Sequence, residues 1–175
     1  MLLCGCHTAD SDLDAALALR KKLSSGAGCS FLAEITADYG DSVYTFELEC
    51  ESSENGDLRF SVVSPDTISG ISGTLSETGG QMDFDNEVLA FPMMVEGEIS
   101  PVSAPWLMLH SLLGGYIRGC GADGEGVKII IDDSYAQEPL QVDLWLNSQQ
   151  LPKGCEIMWQ GRRIMSINIK SFAFV

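Results

Sequence analysis

The sequence predicts an α+β fold in which a long antiparallel sheet carries helices on one face. Two segments, residues 12–24 and 103–118, have apolar residues at helical spacing, whereas most of the remaining chain alternates apolar and polar residues in short runs. The predicted order is one helix, about five strands, a second helix and about four strands. No fixed-period repeat, low-complexity tract or interdomain linker interrupts this pattern. We therefore expect a single domain over residues 12–175.

The net charge restricts the partners of the chain. The sequence has 25 Asp and Glu residues against 10 Lys and Arg residues, which gives a formal charge of −15. Its basic cluster is confined to Arg20, Lys21 and Lys22. Because such an excess of negative charge repels phosphate backbones, we expect no nucleic-acid partner.

The N-terminus contains a lipidation motif. Leu3-Cys4-Gly5-Cys6 is close to the bacterial lipobox, in which Leu precedes the modified Cys by three residues and small residues stand between them. We expect Cys6 to be acylated, with residues 1–5 a remnant of a lipoprotein signal peptide and residues 6–11 a polar tether. This anchor would hold the protein on the outer face of the cytoplasmic membrane. The alternative is a chance match, because Cys4 stands where Ala or Ser is usual.

Residues 12–24 form the first predicted helix, which Ser11 or Asp10 caps. Acidic residues occupy its first turn and the basic cluster its last turn, as the helix macrodipole prefers. Residues 24–28 end this helix.

Residues 29–50 predict a hairpin that turns at Tyr39-Gly40. One register puts every apolar side chain on the same face: it pairs Phe31 with Leu48, Ala33 with Phe46 and Ile35 with Tyr44. The same register brings Cys29 opposite Cys50, which indicates a disulfide in an exported protein. The alternative is two buried free thiols that face each other.

Further strands are predicted at 58–64, 67–76 and 81–91, and after the second helix at 127–132, 140–146, 155–160 and 163–174. Gly70 and Gly73 lie within strand-like sequence, where they indicate a bulge or bend. A long sheet that curls around a helix needs such points.

The second helix, predicted over 103–118, is the most apolar stretch of the chain. Ser103 is its predicted N-cap, Pro105 fits the first turn, and Gly119 and Gly121 supply the stop. One face carries Trp106, Leu109, Leu113, Tyr116 and Ile117. Two interpretations stay open: a core helix, or a helix that covers a lipid-sized cavity and lines it with these five residues.

The pattern of polar residues predicts neither an enzyme nor a metal or cofactor site. His7 and His110 lack an evident catalytic partner, and Gly70-Ile71-Ser72-Gly73 lacks the second glycine of a nucleophile elbow. Alternating acids at 10–14 and 83–87 lack the glycine and the final Glu of a calcium loop. Asp132 and Asp133 are adjacent on a strand, so their carboxylates point to opposite faces.

Several segments carry a family resemblance: CSFLAEITADYGD, PDTISGISG, LAFP, SPVSAPW and IDDSY. With these motifs, the chain resembles an uncharacterised family of Firmicutes lipoproteins similar to the outer-membrane lipoprotein carrier (LolA/LolB-like) superfamily. The resemblance implies an unclosed, strongly curved antiparallel half-barrel whose concave face holds acyl chains under helices. It predicts a membrane-anchored, non-enzymatic lipoprotein that binds a lipid, an acylated protein or another apolar ligand. The alternative is an envelope protein-protein interaction module without a ligand cavity, such as a spore-germination-type lipoprotein.

Overall fold

A computed structural model describes residues 8–26, 28–84, 87–92, 94–95, 98–124 and 126–175. The helices are α1 (Thr8–Ser24) and α2 (Ala104–Gly114), and a 3-10 turn at Pro101–Ser103 leads into α2. The strands before α2 are β1 (Cys29–Asp38), β2 (Val43–Ser52), β3 (Leu58–Ser64), β4 (Ser72–Ser76), β5 (Gly79–Phe84), β6 (Glu87–Phe91), β7 (Met94–Val95) and β8 (Glu98–Ile99). Those after it are β9 (Tyr116–Asp123), β10 (Gly126–Asp132), β11 (Gln141–Leu146), β12 (Pro152–Trp159) and β13 (Arg162–Phe174).

Within these residues, eleven strands form one antiparallel sheet in the order β6-β5-β4-β3-β2-β1-β13-β12-β11-β10-β9. Each half of the sheet is a meander of sequence neighbours, and the pairing of β1 with β13 joins the two halves. The two end strands do not pair with each other, so the sheet is an open half-barrel. The predicted α+β class and the curved antiparallel sheet are confirmed.

Residues on one face of most of the long strands form the core, whereas β9 has no buried residue. In β1 the alternation is strict: Phe31, Ala33 and Ile35 are buried, and the residues between them are partly exposed. The twelve largest fully buried side chains come from both meanders and from α2: Ile35, Leu48, Leu58, Leu75, Met108, Leu112, Ile129, Ile131, Leu144, Leu146, Ile157 and Met165. The concave face is therefore the core face of both meanders.

The β1–β2 hairpin has a different register from the predicted one. Phe31 lies opposite Cys50 and Ile35 opposite Phe46, a shift of two residues. The shift arises because the connection spans residues 39–42 rather than a tight Tyr39-Gly40 turn. Gly40 has a φ of 90°, and its N–H donates to the Asp38 carboxylate over 2.8 Å. A shift of two keeps each side chain on its predicted face.

Both helices differ from their predicted bounds. Helix α1 begins at Thr8, so residues 8–11 are helical rather than part of a tether. Ser103 is buried in the 3-10 turn and its hydroxyl makes no capping hydrogen bond to α2. Helix α2 ends at Gly114, and the chain continues at Tyr116 as β9. Gly119 and Gly121, the predicted helix stop, thus lie within β9.

Gly115 explains why α2 ends early. Its backbone is extended (φ −70°, ψ 162°). A Cβ at this position would lie 2.6 Å from Ile131 Cγ2 and 2.7 Å from the Asp132 carbonyl oxygen. Because only glycine allows this approach to β10, the chain turns into the sheet here.

The strands between β3 and α2 also differ from expectation. Only Ser72–Ser76 of the predicted strand 67–76 is extended, as β4. The predicted strand 81–91 is a hairpin in which Met82 of β5 lies opposite Leu89 of β6. The small ribbon of β7 and β8 follows before the 3-10 turn.

Candidate functional site

Helix α2 lies on the concave face and fills part of it. The helix contacts β10, β11, β12 and β13. Its Met108 and Leu112 are fully buried and belong to the same core cluster as Ile129 of β10, Leu144 of β11 and Ile157 of β12. The side chains between α2 and strands β10–β13 form ordinary packed core. Space large enough for a ligand therefore lies beside α2 and not beneath it.

The first such space, the turn cleft, has a volume of about 590 Å³. It is lined by Leu23 of α1, residues 52–57, residues 76–78, and Trp106, Leu109, His110 and Leu113 of α2. Three of the five predicted pocket residues, Trp106, Leu109 and Leu113, therefore lie together here. Helical spacing found them because they share one face of α2.

Trp106 ties α2 to the β2–β3 turn. Its indole Nε1–H donates to the Gly56 carbonyl oxygen over 3.1 Å. The His110 ring stacks on the indole, with ring centroids 4.4 Å apart and an interplanar angle of 16°. The opposite wall of the cleft is polar: Glu54, Asp57, Glu77 and hydroxyl side chains. The cleft is thus amphipathic, with an apolar helix wall and an acidic turn wall.

Tyr116 and Ile117, the other two predicted pocket residues, lie elsewhere. Both belong to β9 because α2 ends at Gly114. Tyr116 is 51% exposed and its ring centroid lies 6.1 Å from that of Tyr135. Ile117 is half-buried and packs against the core. The structure does not bring these two residues to the turn cleft.

The second space, the rim groove, lies at the other end of β2. It has a volume of about 360 Å³ and its lining is apolar except for the hydroxyl groups of Tyr44 and Thr45. The lining residues are Val43, Tyr44, Thr45, Phe46, Val62, Pro65, Ile68, Pro101 and Val102. Sequence reasoning missed this groove because its walls come from β2, the β3–β4 connection and the 3-10 turn. Val43-Tyr44, which begins a strand directly after an acidic turn, was the available signal.

Tyr39 holds the 3-10 turn that forms one wall of the rim groove. Its hydroxyl donates to the Ile99 carbonyl oxygen over 2.8 Å, two residues before the turn begins. The Tyr39 ring also contacts that of Tyr44, with centroids 6.2 Å apart. These contacts fix the wall made by Pro101 and Val102 against β2.

Arg20 fixes the opposite end of α2. Its guanidinium donates from Nε to the Leu112 carbonyl oxygen and from Nη2 to the Gly115 carbonyl oxygen, the latter over 2.8 Å. A cation at a helix C-terminus is favoured by the macrodipole. Partial burial lowers the pKa of Arg20, and the neighbouring Tyr135 and Cys120 side chains oppose this shift. Arg20 thus couples α1 to the position of α2.

The structure contradicts the predicted disulfide between Cys29 and Cys50. Both are free thiols. The shifted register makes them diagonal neighbours, and diagonal residues of adjacent strands lie about 7–8 Å apart, beyond ordinary disulfide geometry. The Cys29 thiol instead contacts the Ser52 hydroxyl at 3.2 Å. Burial raises the pKa of the Cys50 thiol far above its ordinary range.

The remaining predicted sites divide by position. Cys6 and the signal-peptide segment lie outside the described residues. Among those described, no group of three or more His, Cys, Asp or Glu side chains is placed to hold a metal ion. Neither of the two described helices is long and apolar enough to cross a membrane. The Asp133 carboxylate accepts from its own connection, including the Leu140 N–H at 2.9 Å, which is a structural role.

No protein-family model matches the chain, and no curated protein sequence matches it. Solved structures match it over nearly its whole length. An uncharacterized conserved protein from Thermus thermophilus aligns with a TM-score of 0.52 and 10% identity, over 93% of this chain and 87% of that chain. A putative outer membrane lipoprotein-sorting protein domain from Vibrio parahaemolyticus aligns with a TM-score of 0.52 and 10% identity, over 94% and 92%.

A LolA superfamily protein from Nitrosomonas europaea also aligns, with a TM-score of 0.48, 10% identity, and coverage of 97% of this chain and 94% of that chain. At these identities a likeness concerns the fold alone. The chain therefore shares its fold with the putative lipoprotein-sorting domain, and the predicted resemblance to lipoprotein carriers is confirmed for the fold alone.

Proposed function

We propose that this chain is a non-enzymatic binding protein of the cell envelope that holds the acyl chain of a lipid or of an acylated protein in the rim groove. The observation that carries the proposal is the lining of the groove, whose side chains are apolar apart from the hydroxyl groups of Tyr44 and Thr45. Exposed apolar concavities of this kind are typical of ligand sites. The shared fold with a putative lipoprotein-sorting domain supports the same class of ligand.

The free energy available in such a groove is sufficient for binding. Each buried CH₂ group contributes about 0.8 kcal/mol. About ten of them would contribute roughly 8 kcal/mol, the free energy of a micromolar complex before the entropic cost of association. The groove needs no polar partner for a saturated chain, which agrees with its lining.

The turn cleft is the second location for the same ligand, because Trp106, Leu109 and Leu113 supply an apolar wall there. Its acidic wall disfavours a lipid that carries a phosphate or carboxylate head, since like charges repel. We therefore place the acyl chain in the rim groove and treat the cleft as the competing site. The alternative function, a protein-docking module, is favoured by β6, the end strand of the sheet, whose outer side pairs with no strand among the described residues.

The test is titration of the delipidated protein with a dansyl-labelled fatty acid, followed by fluorescence and by native mass spectrometry. Val43→Asp places a carboxylate in the groove at a residue that is 61% exposed, so it should not disturb folding. Val63→Asp is the matched control, because Val63 is 39% exposed on β3 and does not line the groove. Burying a charge against an acyl chain is costly, so we expect Val43→Asp to weaken binding by about tenfold or more.

Each other result refutes part of the proposal. Absence of any probe binding or lipid adduct in the wild-type chain would refute acyl binding. Equal affinities of Val43→Asp and Val63→Asp would remove the ligand from the groove. A selective loss in Leu113→Asp would move it to the turn cleft.

We further propose that Cys6 carries the membrane anchor. The support is the spacing of Leu3-Cys4-Gly5-Cys6. Expression from the native gene with an alkyne-labelled palmitate should label the protein. Cys6→Ala should abolish the label and Cys4→Ala should retain it, whereas labelling of both variants would refute the assignment.

A further inference from the structure

The two end strands of the sheet differ: one contacts a helix, and the other has no pairing strand on its outer side among the described residues. Helix α1 packs against β9, the strand at one end of the sheet. Strand β6 is the other end, and in the described part of the chain no strand pairs with its outer side. About half of the backbone N–H and C=O groups of an antiparallel end strand point away from its neighbour. The backbone of β6 therefore offers a free set of hydrogen-bonding groups.

The side chains of this edge are apolar and exposed. Val88 is 61% exposed and Leu89 is 57% exposed on β6, and Phe84 is 52% exposed on the adjoining β5. Met82 lies opposite Leu89, so Leu89, Met82 and Phe84 share the concave face, while Val88 and Asp83 share the convex face. Natural edge strands are usually protected by Lys, Pro or a covering element. Strand β6, Glu87–Phe91, contains neither Lys nor Pro.

The charged residues of the two outermost strands, β5 and β6, are acidic, and the nearest basic residue of this meander is Arg59 on β3. Residues 60–117 include seven acidic residues and no Lys or Arg. Glu87 lies opposite Phe84 on the concave face and Asp83 lies opposite Val88 on the convex face. Each face of the edge thus combines an apolar side chain with a carboxylate. A strand that pairs here with favourable electrostatics carries Lys or Arg beside apolar residues.

We propose that β6 is a docking edge for an extended basic and apolar segment of another protein, which adds to the sheet as a further strand. Backbone hydrogen bonds hold the segment, as in other β-augmentation complexes. Val88 and Leu89 supply apolar contacts on the two faces, and Asp83 and Glu87 select basic side chains. This docking edge is separate from the rim groove and does not depend on acyl binding.

The charge also argues against a second copy of the chain as the occupant. Two β6 edges that pair with each other join two acidic sheet ends, each with Glu87 on β6 and Asp83 on β5, and like charges repel. Each copy also carries a net charge of −15, which opposes self-association. A basic segment meets neither obstacle.

The test measures the fluorescence anisotropy of a labelled heptapeptide that alternates Lys and Val, added to the full chain. Two more peptides serve as controls: one alternates Glu and Val, and the other has Pro in place of the central Val. We expect the Lys–Val peptide to bind and the Glu–Val peptide not to bind. The proline peptide has the same charge but lacks one backbone N–H, so it should bind about tenfold more weakly.

Protein variants locate the site. Val88→Lys should weaken binding of the Lys–Val peptide by about tenfold or more, because it places a like charge on the edge. Val63→Lys makes the same change in net charge away from the edge and should leave the affinity unchanged. Binding of the dansyl fatty acid to Val88→Lys should stay at the wild-type level, which separates this proposal from acyl binding. The comparison of the proline and Lys–Val peptides uses the wild-type chain and depends on no variant.

Four results would overturn the proposal. Equal binding of the proline and Lys–Val peptides would mean charge attraction without strand pairing. Equal effects of Val88→Lys and Val63→Lys would place the peptide elsewhere. Concentration-dependent dimers in sedimentation velocity that Val88→Lys abolishes would assign the edge to a second copy. Co-sedimentation with phosphatidylglycerol vesicles that only Val88→Lys abolishes would assign it to a membrane.

Discussion

Alanine substitutions at the neighbouring residues Gly114 and Gly115 should have effects of opposite sign. At Gly115 an added Cβ would lie 2.6 Å from Ile131 Cγ2 and 2.7 Å from the Asp132 carbonyl oxygen. Ordinary contacts between carbon atoms are about 3.5–4.0 Å. The chain must therefore move by roughly an ångström where α2 joins the sheet, and overpacking of this kind costs about 1–3 kcal/mol.

Gly114 is the matched control because it is the last residue of α2 and nothing lies within 4 Å of an added Cβ. Ala is favoured over Gly in a helix by up to about 1 kcal/mol, so Gly114→Ala should leave stability unchanged or raise it. The two variants should then differ by about 1–4 kcal/mol in the free energy of unfolding.

Urea denaturation followed by tryptophan fluorescence measures this difference, and thermal denaturation checks it at about 2–4 °C per kcal/mol for a chain of this size. Equal destabilisation by both variants would show that α2 ends at Gly115 for a reason other than its approach to Ile131. A neutral Gly115→Ala would show that β10 does not confine this position.

Three other predictions concern the elements around α2. Arg20→Ala should lower the free energy of unfolding by about 1–3 kcal/mol, because its charge-assisted hydrogen bonds are lost. Lys21 is exposed on the same helix, so Lys21→Ala should lower it by less than about 0.5 kcal/mol. Equal urea midpoints for the two variants would contradict this. Burial raises the folded-state pKa of the Cys50 and Cys155 thiols, so above the ordinary thiol pKa of 9.0 the unfolded chain loses protons that the folded chain keeps. Stability should therefore fall by about 1.4 kcal/mol for each of these two thiols between pH 8 and pH 10, and Cys155→Ala should remove about 1.4 kcal/mol of the total fall, whereas a flat pH profile would refute it. Trp106→Phe removes the indole hydrogen bond to the β2–β3 turn, so amide exchange of residues 53–57 should become faster in hydrogen-exchange mass spectrometry; unchanged exchange would mean that the turn is held by its own contacts.

The sequence predicts which side chains of a strand are buried better than it predicts which residues of the neighbouring strand they pair with. In β1 the alternation of Ala33 and Ile35 with Glu34 and Thr36 is local information, and the burial pattern follows it. The register is not local in this sense, because a shift of two residues leaves each side chain on the same face. Only the geometry of the connection at 39–42 distinguishes the two registers. The disulfide prediction was wrong for this reason.

The end of α2 illustrates a second limit. Tyr116 and Ile117 fit both the helical spacing of α2 and the alternation of a strand, so their pattern alone cannot assign them. The deciding contact is between Gly115 and β10, residues that the sequence places far apart. The β5–β6 hairpin was predicted as one strand for a different reason. Strand-like sequence lies on both sides of the turn-favouring pair Asp85-Asn86, so residues 81–91 have the pattern of one continuous strand.

The candidate site shows the same division. Trp106, Leu109 and Leu113 share one helix face, so helical spacing alone predicts that they lie together. The walls that face them come from two sheet turns, and the rim groove comes from three separate segments. The order of the strands in the sheet brings these segments together. The pattern of residues in a single sequence does not predict that order.

Among the strand pairings of the described residues, that of β1 with β13 costs the most loop-closure entropy on folding. Nine of the ten strand pairings in the main sheet of the described residues join sequence neighbours and close short loops. The pairing of Cys29 with Phe174 closes a loop of nearly the whole domain. Local pairings form faster than distant ones, so each meander should form before the two halves join. Until the ribosome has made β13, β1 has no partner on one side, and a partly synthesised chain carries a second open edge where aggregation can begin.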